Sequence, residues 1–203
     1  PTPTTPVEPL PEICRTVDTK LNNGSFENPE IPAKTYRIMN ETSVPGWRTT
    51  ATDGAIELWS TGFNGVAATV GNQFAEINAN MHSELYQNVV TVPGQKLTWS
   101  LLHRARGAGS VGDTMSVNIG PAGGDATSTT TFTDTLGEGW VRHTGTYTVP
   151  EGQTLTRFGF KSGATASGSK SIGNFIDDIY FTRTECVPAS VTPAGTYEAP
   201  DRP

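Results

Sequence analysis

Two short segments near the ends of this chain constrain its fold more than anything between them. Asn23-Gly24-Ser25-Phe26-Glu27 opens the patterned part of the sequence, and Asn174-Phe175-Ile176-Asp177-Asp178-Ile179-Tyr180-Phe181 closes it. The two-residue beat of a strand puts Phe175, Asp177, Ile179 and Phe181 of the closing segment on one face. An aspartate among three large apolar residues has to be paired, protonated or bound to a metal, because a bare buried charge is too costly. Glu27, just past a Gly-Ser turn, is the natural partner for a shared hard cation. The pattern predicts a first and a last strand lying side by side, tied by a structural calcium ion.

The cysteines agree with that neighbourhood. Cys14 lies nine residues before the opening segment and Cys186 five after the closing one, and the chain has no others. If the end strands are neighbours, the two sulfurs can meet, and closing so long a loop stabilises by roughly 5 kcal/mol in the chain-entropy model. The alternative is a pair of unrelated free thiols. No CxxC and no Cys/His zinc spacing is present.

Length and charge bound the class. With 203 residues there is room for one ordinary domain plus tails. The net charge is −6 and only 17% of residues are charged, so no basic stripe exists to hold nucleic acid. A low-charge sequence rich in Thr, Ser and Asn, with 22 Gly and 15 Pro, suits an extracellular all-β protein with many turns. No apolar run reaches the ~18 residues of a membrane span. Residues 1–12 read as a Pro/Thr linker, 13–186 as one β-sandwich module and 187–203 as a second Pro-rich linker or tail. With no leader visible and a start inside a Pro/Thr stretch, the sequence reads as a monomeric piece of something longer.

Short alternating runs fill the middle. They are Ala55–Trp59, Gln73–Asn78, Leu85–Val92, Leu97 to Leu101, Met115 to Ile119, Val141–Val149, Thr156–Lys161 and Ile172–Thr182. Turn signals such as Pro93-Gly94, Gly120-Pro121 and Pro150-Glu151-Gly152 separate them, and no amphipathic helix is evident. About eight or nine such strands make a β-sandwich of two antiparallel sheets.

Several pieces in order carry a family resemblance. They are Asn-Gly-Ser-Phe-Glu at 23–27, Pro45-Gly46-Trp47, Gly54-Ala-Ile-Glu-Leu-Trp59, Gly71-Asn-Gln-Phe-Ala-Glu-Ile-Asn78, Leu85-Tyr86-Gln87, Val92-Pro93-Gly94, the His103-Arg104-Ala-Arg106 cluster and Phe175-Ile-Asp-Asp-Ile179. Together they make the span from about 20 to 183 resemble the jelly-roll modules of secreted and wall-anchored bacterial proteins. It is similar to galactose-binding-like carbohydrate-binding modules of the family-4/22 type and to DUF642-type domains. The resemblance implies a structural Ca²⁺ held by Glu27 and Asp177, with the Ser25 carbonyl and Asp53 completing the shell. Calcium takes six to eight oxygens, so backbone and water supply the rest.

The remaining candidates concern a ligand. No Gly-x-Ser-x-Gly, HExxH or P-loop is present. Glu57 and Glu76 lie on different strands and can approach each other, yet nothing marks them as catalytic, so the chain is expected not to be an enzyme. His103 falls on the beat of Leu97, Trp99 and Leu101 and reads as a satisfied, part-buried histidine. Arg104, Arg106 and Asp113 bracket the loop from Gly107 to Gly112; they make either an Arg–Asp bridge or a polar clamp for a sugar hydroxyl or carboxylate. Trp47 and Trp99 read as core and Trp140 as half exposed. Trp59 and Phe63 are the candidate exposed stacking pair. With Ala75, Ile77, Leu97, Trp99 and Leu101 facing inward, Glu76, Asn78 and Arg104 are expected to face a ligand. These readings point to a non-catalytic, lectin-like module of a bacterial surface adhesin or secreted protein that binds a glycan or host-surface ligand. The alternative is a structural or protein-binding stalk domain.

Overall fold

A computed structural model describes residues 11–19, 21–107 and 111–189. Most of both expected linkers and the tip of the Gly107–Gly112 loop lie outside the described residues.

Twelve strands run through the described residues: β1 (Glu12–Thr19), β2 (Tyr36–Asn40), β3 (Arg48–Thr49), β4 (Ala55–Ser60), β5 (Gln73–Glu76), β6 (Glu84–Val90), β7 (Lys96–Arg104), β8 (Asp113–Pro121), β9 (Ser128–Asp134), β10 (Val141–Thr148), β11 (Leu155–Ser162) and β12 (Phe175–Pro188). They form two antiparallel sheets. The larger runs β10-β7-β12-β5-β4-β2, with β1 added to the far end of β12; the smaller runs β3-β6-β11-β8-β9. The alternation seen in the sequence sets the packing. Ile56, Leu58, Ala75, Ile77, Trp99 and Leu101 of the larger sheet share a buried cluster with Leu85, Met115, Val117, Ile119, Phe158 and Phe160 of the smaller. That is a β-sandwich with the inner residues of both sheets as its core.

The opening segment is a turn rather than a strand. The Phe26 amide donates to the Asn23 carbonyl at 3.0 Å, and both residues sit at positive φ. The turn is tied inward instead. The Phe26 ring stacks on Trp47 at 4.7 Å, and the Trp47 indole N–H donates to the Asn23 carbonyl at 2.9 Å. The first strand of the fold is β1, which does pair with the last, β12.

The closing segment departs from its expected beat. β12 pairs with β7 in register from Phe175–Arg104 to Asp177–Leu102, then shifts so that Tyr180 faces Ser100. One extra residue is accommodated there, with Asp178 at φ 48°, the signature of a β-bulge. Phe175 and Asp177 consequently lie on the outer face with Arg104, while Ile176, Ile179 and Phe181 enter the core. The four residues expected on one face are divided two and two.

Cys14 sits directly opposite Cys186 in the β1–β12 ladder, and the two form a disulfide with Cα atoms 4.0 Å apart. Residues 172 apart in sequence are thereby closed into one loop. Replacing both cysteines by serine is expected to lower the unfolding free energy by about 2–5 kcal/mol. Urea denaturation of the oxidised protein and of the double variant measures this; coincident midpoints would contradict it.

Candidate functional site

The outer face of the larger sheet is unusual for a surface. Alternate residues of its central strands place Glu57 and Trp59 (β4), Phe74 and Glu76 (β5), Phe175 and Asp177 (β12) and Arg104 (β7) on that side. Trp59, Phe74 and Phe175 are buried there as a second apolar cluster, covered by Phe63, Val66 and Ala68 of the loop 61–72 and by Trp140. The Trp140 indole N–H donates to the Ala67 carbonyl at 2.9 Å.

Two carboxylates clasp that loop. Asp177 Oδ2 accepts from the Thr69 amide (3.2 Å), the Thr69 hydroxyl (2.9 Å) and the Val70 amide (3.3 Å). Glu27 Oε1 accepts from the amides of Asn72 and Gln73, each at 2.9 Å. Gly71 lies between them at φ 66°, and a Cβ there would fall 2.4 Å from the Glu27 carboxylate, so only glycine fits. Asp177 is fully buried, and burial pushes its carboxyl up to about 6 against the pull of the loop donors. Glu27 and Asp177 are thus brought to one loop, with Ser25 in the turn leading to Glu27. Asp53 is not brought to them. It sits beyond the opposite end of β4, where it accepts from the Ala55 amide (3.1 Å) and the Asn80 side chain (2.8 Å).

Glu57 and Glu76 face each other across the β4–β5 ladder. Arg106 donates through Nη1 to both Glu76 oxygens, at 2.8 and 2.7 Å, and its guanidinium carbon lies 4.7 Å from the centre of the Trp59 ring. The Trp59 indole N–H donates to Glu57 at 2.7 Å, and the Gly173 amide donates to Glu76 at 2.7 Å. Burial, then the charge of Glu76, pushes Glu57 up to about 8. Burial raises Glu76 too, but Arg106 opposes it. Two registered carboxylates cannot both ionise in such a place. Glu57, which lacks the arginine contact that Glu76 has, holds the proton at neutral pH.

A groove of about 390 Å³ opens beside this pair, lined by Trp59, the Asn64–Val66 segment, Arg104, Arg106, Leu136 and Phe175. Arg104 lines the groove; its Nε is buried and has no hydrogen-bond partner among the described residues. The expected ligand residues therefore divide. Trp59, Arg104 and Arg106 line the groove, and Glu76 lies under Arg106. Trp59 is only 2% exposed and packs edge-on against half-buried Phe63 at 4.7 Å, so the two are not an exposed stacking pair. An exposed ring beside this pair is Tyr36 on β2, 5.4 Å from Phe63. Asn78 is buried and bonded to the Lys170 carbonyl and to Asn174. Asp113 is buried and, among the described residues, makes no bridge to an arginine side chain; it accepts from the amides of Arg106, Ala166 and Asn174 and pins three chain segments together. His103 is satisfied as expected, though wholly buried.

No family model and no curated protein matches this sequence. Solved structures do. A Stig cyclase, Fisc from Fischerella sp. TAU, was solved in complex with (3Z)-3-(1-methyl-2-pyrrolidinylidene)-3H-indole. It shares 19% identity with this chain, and the match covers 87% of this chain and 100% of the cyclase at a TM-score of 0.61. The carbohydrate-binding module TmCBM61, solved in complex with β-1,4-galactotriose, shares 17% identity over 80% of this chain and 96% of the module, at a TM-score of 0.52. The likeness establishes the fold, an all-β jelly-roll sandwich. It also corrects the expectation that the chain is not an enzyme. Cyclases share this fold with binding modules, so the architecture does not exclude catalysis.

The proton on Glu57 has a measurable consequence. A carboxyl raised on folding adds stability that is complete below its ordinary value of 4.5 and lost as pH rises through about 8. Glu57→Gln keeps the neutral form at every pH. Its stability relative to wild type should therefore climb between pH 5 and pH 8 in urea denaturation. Parallel pH profiles would show that Glu57 is ionised throughout.

Proposed function

We propose that the groove on the outer face is a carbohydrate site and that the chain is a glycan-binding module of an extracellular bacterial protein. The observation that carries this reading is the Arg104 guanidinium on the wall of a groove floored by the Trp59–Arg106 stack. Arg106 is occupied by Glu76, so the Arg104 guanidinium is the charged fork left to grip a hydroxyl or carboxylate. Asn64 at the mouth adds an amide, and Tyr36 offers an exposed ring near the same loop. The disulfide suits an oxidising, extracellular setting, and no helix of the described residues is long and apolar enough to cross a membrane. A glycan array identifies the sugar. Against any sugar found, Arg104→Ala is expected to weaken binding by roughly tenfold or more, as for loss of a charged hydrogen bond, with the melting midpoint unchanged. Unaltered affinity removes this groove from the account; an array without hits favours the stalk or protein-binding role.

The Glu27–Asp177 clasp is the proposed calcium site. Both are hard oxygen donors on one loop, and no cationic side chain is among the partners of buried Asp177 in the described residues. The loop amides occupy the same carboxylate oxygens, so a bound ion competes with those bonds, and backbone and water supply its other ligands. Calcium should raise the melting midpoint over EDTA by several degrees at pH 7.5. The rise should shrink at pH 5, where Asp177 is protonated in the ion-free protein. Equal midpoints in calcium and EDTA at pH 7.5 would contradict the site.

A further inference from the structure

A cluster away from the groove joins the two sheets. His103 ends the inward beat of β7, His143 lies on the adjacent strand β10, and Asp134 ends β9 of the smaller sheet. His103 Nδ1 is 2.6 Å and His143 Nε2 is 2.7 Å from the same oxygen, Asp134 Oδ2. His103 is fully buried and Asp134 nearly so, while the His143 side chain is 21% exposed, which leaves one side of the cluster open to solvent. The His143 ring is held flat against Phe132 at 3.6 Å.

The hydrogen-bond network fixes the tautomer of the buried ring. The Lys170 carbonyl can only accept, so the Asn78 side chain turns its Nδ2 to it, at 3.1 Å. Asn78 Oδ1 then accepts from Asn174 Nδ2 at 3.0 Å, which turns Asn174 Oδ1 toward His103 Nε2, also at 3.0 Å. Nε2 must therefore carry a proton. In a neutral ring Nδ1 then presents a lone pair to a carboxylate oxygen 2.6 Å away, and two acceptors repel at that distance. A proton or a metal ion has to lie between Nδ1 and that oxygen.

We propose that His103, Asp134 and His143 form a binding site for a divalent transition-metal ion of the zinc class. Two imidazole nitrogens and one carboxylate are the three-ligand set of an open zinc site, with the solvent side left for a water. The three ligand atoms lie within 4.8 Å of one another. His103 turns its other ring N–H onto the Asn174 side-chain Oδ1, the outer contact that orients a metal-bound imidazole. The nitrogen ligands select against calcium and magnesium, which take oxygen. Because Asp134 leads directly into the Thr135–Leu136 segment, and Leu136 lines the groove, an ion here also braces one wall of that groove.

The test uses tag-free, oxidised protein stripped with a chelating resin and titrated with ZnCl₂ in a calorimeter, with bound zinc counted by elemental analysis. The expected result is about one zinc per chain, retained in excess CaCl₂. His143→Gln, a partly exposed change checked for folding by circular dichroism, should weaken zinc binding at least ~10-fold. Less than ~0.1 zinc per chain, together with an NMR-observed Nδ1–H on His103 at neutral pH, would overturn the proposal in favour of a buried imidazolium–carboxylate pair. Displacement by calcium, or wild-type affinity in a folded His143→Gln, would equally overturn it.

Discussion

One extra residue in β12 sets the organisation of this molecule. The bulge between Asp177 and Tyr180 reverses the face of every later side chain in that strand. Before it, Phe175 and Asp177 belong to the outer surface, where one helps bury the covering loop and the other holds its amides. After it, Ile179 and Phe181 belong to the core, where Phe181 lies 3.9 Å from Phe158 of the opposite sheet. Without the bulge, a strand continuing the beat of Phe175 and Asp177 would turn Ile179 and Phe181 out of the sandwich. The central strand of the larger sheet thus serves the core and the groove at once. Asp178, at the bulge, turns its carboxylate to Arg142 of β10.

The buried acids show how the fold tolerates charge, and it does so in several ways. Glu76 has a two-oxygen contact with Arg106. Glu57, facing it, keeps its proton. Asp113 and Asp177 are held by backbone amides of loops, which supply partial positive charge without a counter-ion. Asp134 has two imidazoles. A buried carboxylate left without any of these would cost several kcal/mol. In each case the compensating partners also fix a loop or a wall of the outer face.

Much of the sandwich was legible in the sequence because its core strands alternate cleanly. The runs at Ala55, Gln73, Leu97, Met115 and Thr156 correspond to β4, β5, β7, β8 and β11, and the two cysteines agreed with neighbouring end strands. The strands that went unread lie at edges. β2 is almost wholly exposed, and β9 is a run of Ser and Thr around a single Phe, so neither alternates in the way a half-buried strand does. The bulge was illegible for another reason. The pairing register across β7 decides it, and nothing in Asp177-Asp178 announces which aspartate takes the left-handed conformation. The site was half legible. Arg104 and the approach of Glu57 to Glu76 could be read from the strands and Arg106 from its loop cluster, whereas Trp59 was named for an exposure it does not have. Asp134, His143 and Trp140 could not, because three separate strands or turns bring them to their partners and no local spacing records it.

The central claim is that Asp177 and Glu27 hold the loop 61–72 down to form the outer face. Amide hydrogen exchange tests it most directly. Thr69, Val70, Asn72 and Gln73 should exchange slowly in the wild-type protein. In Asp177→Asn the amides of Thr69 and Val70 should lose protection while those of β7 and β11 keep theirs. Rapid exchange of all four amides in the wild type, or their undiminished protection in the variant, would contradict the account.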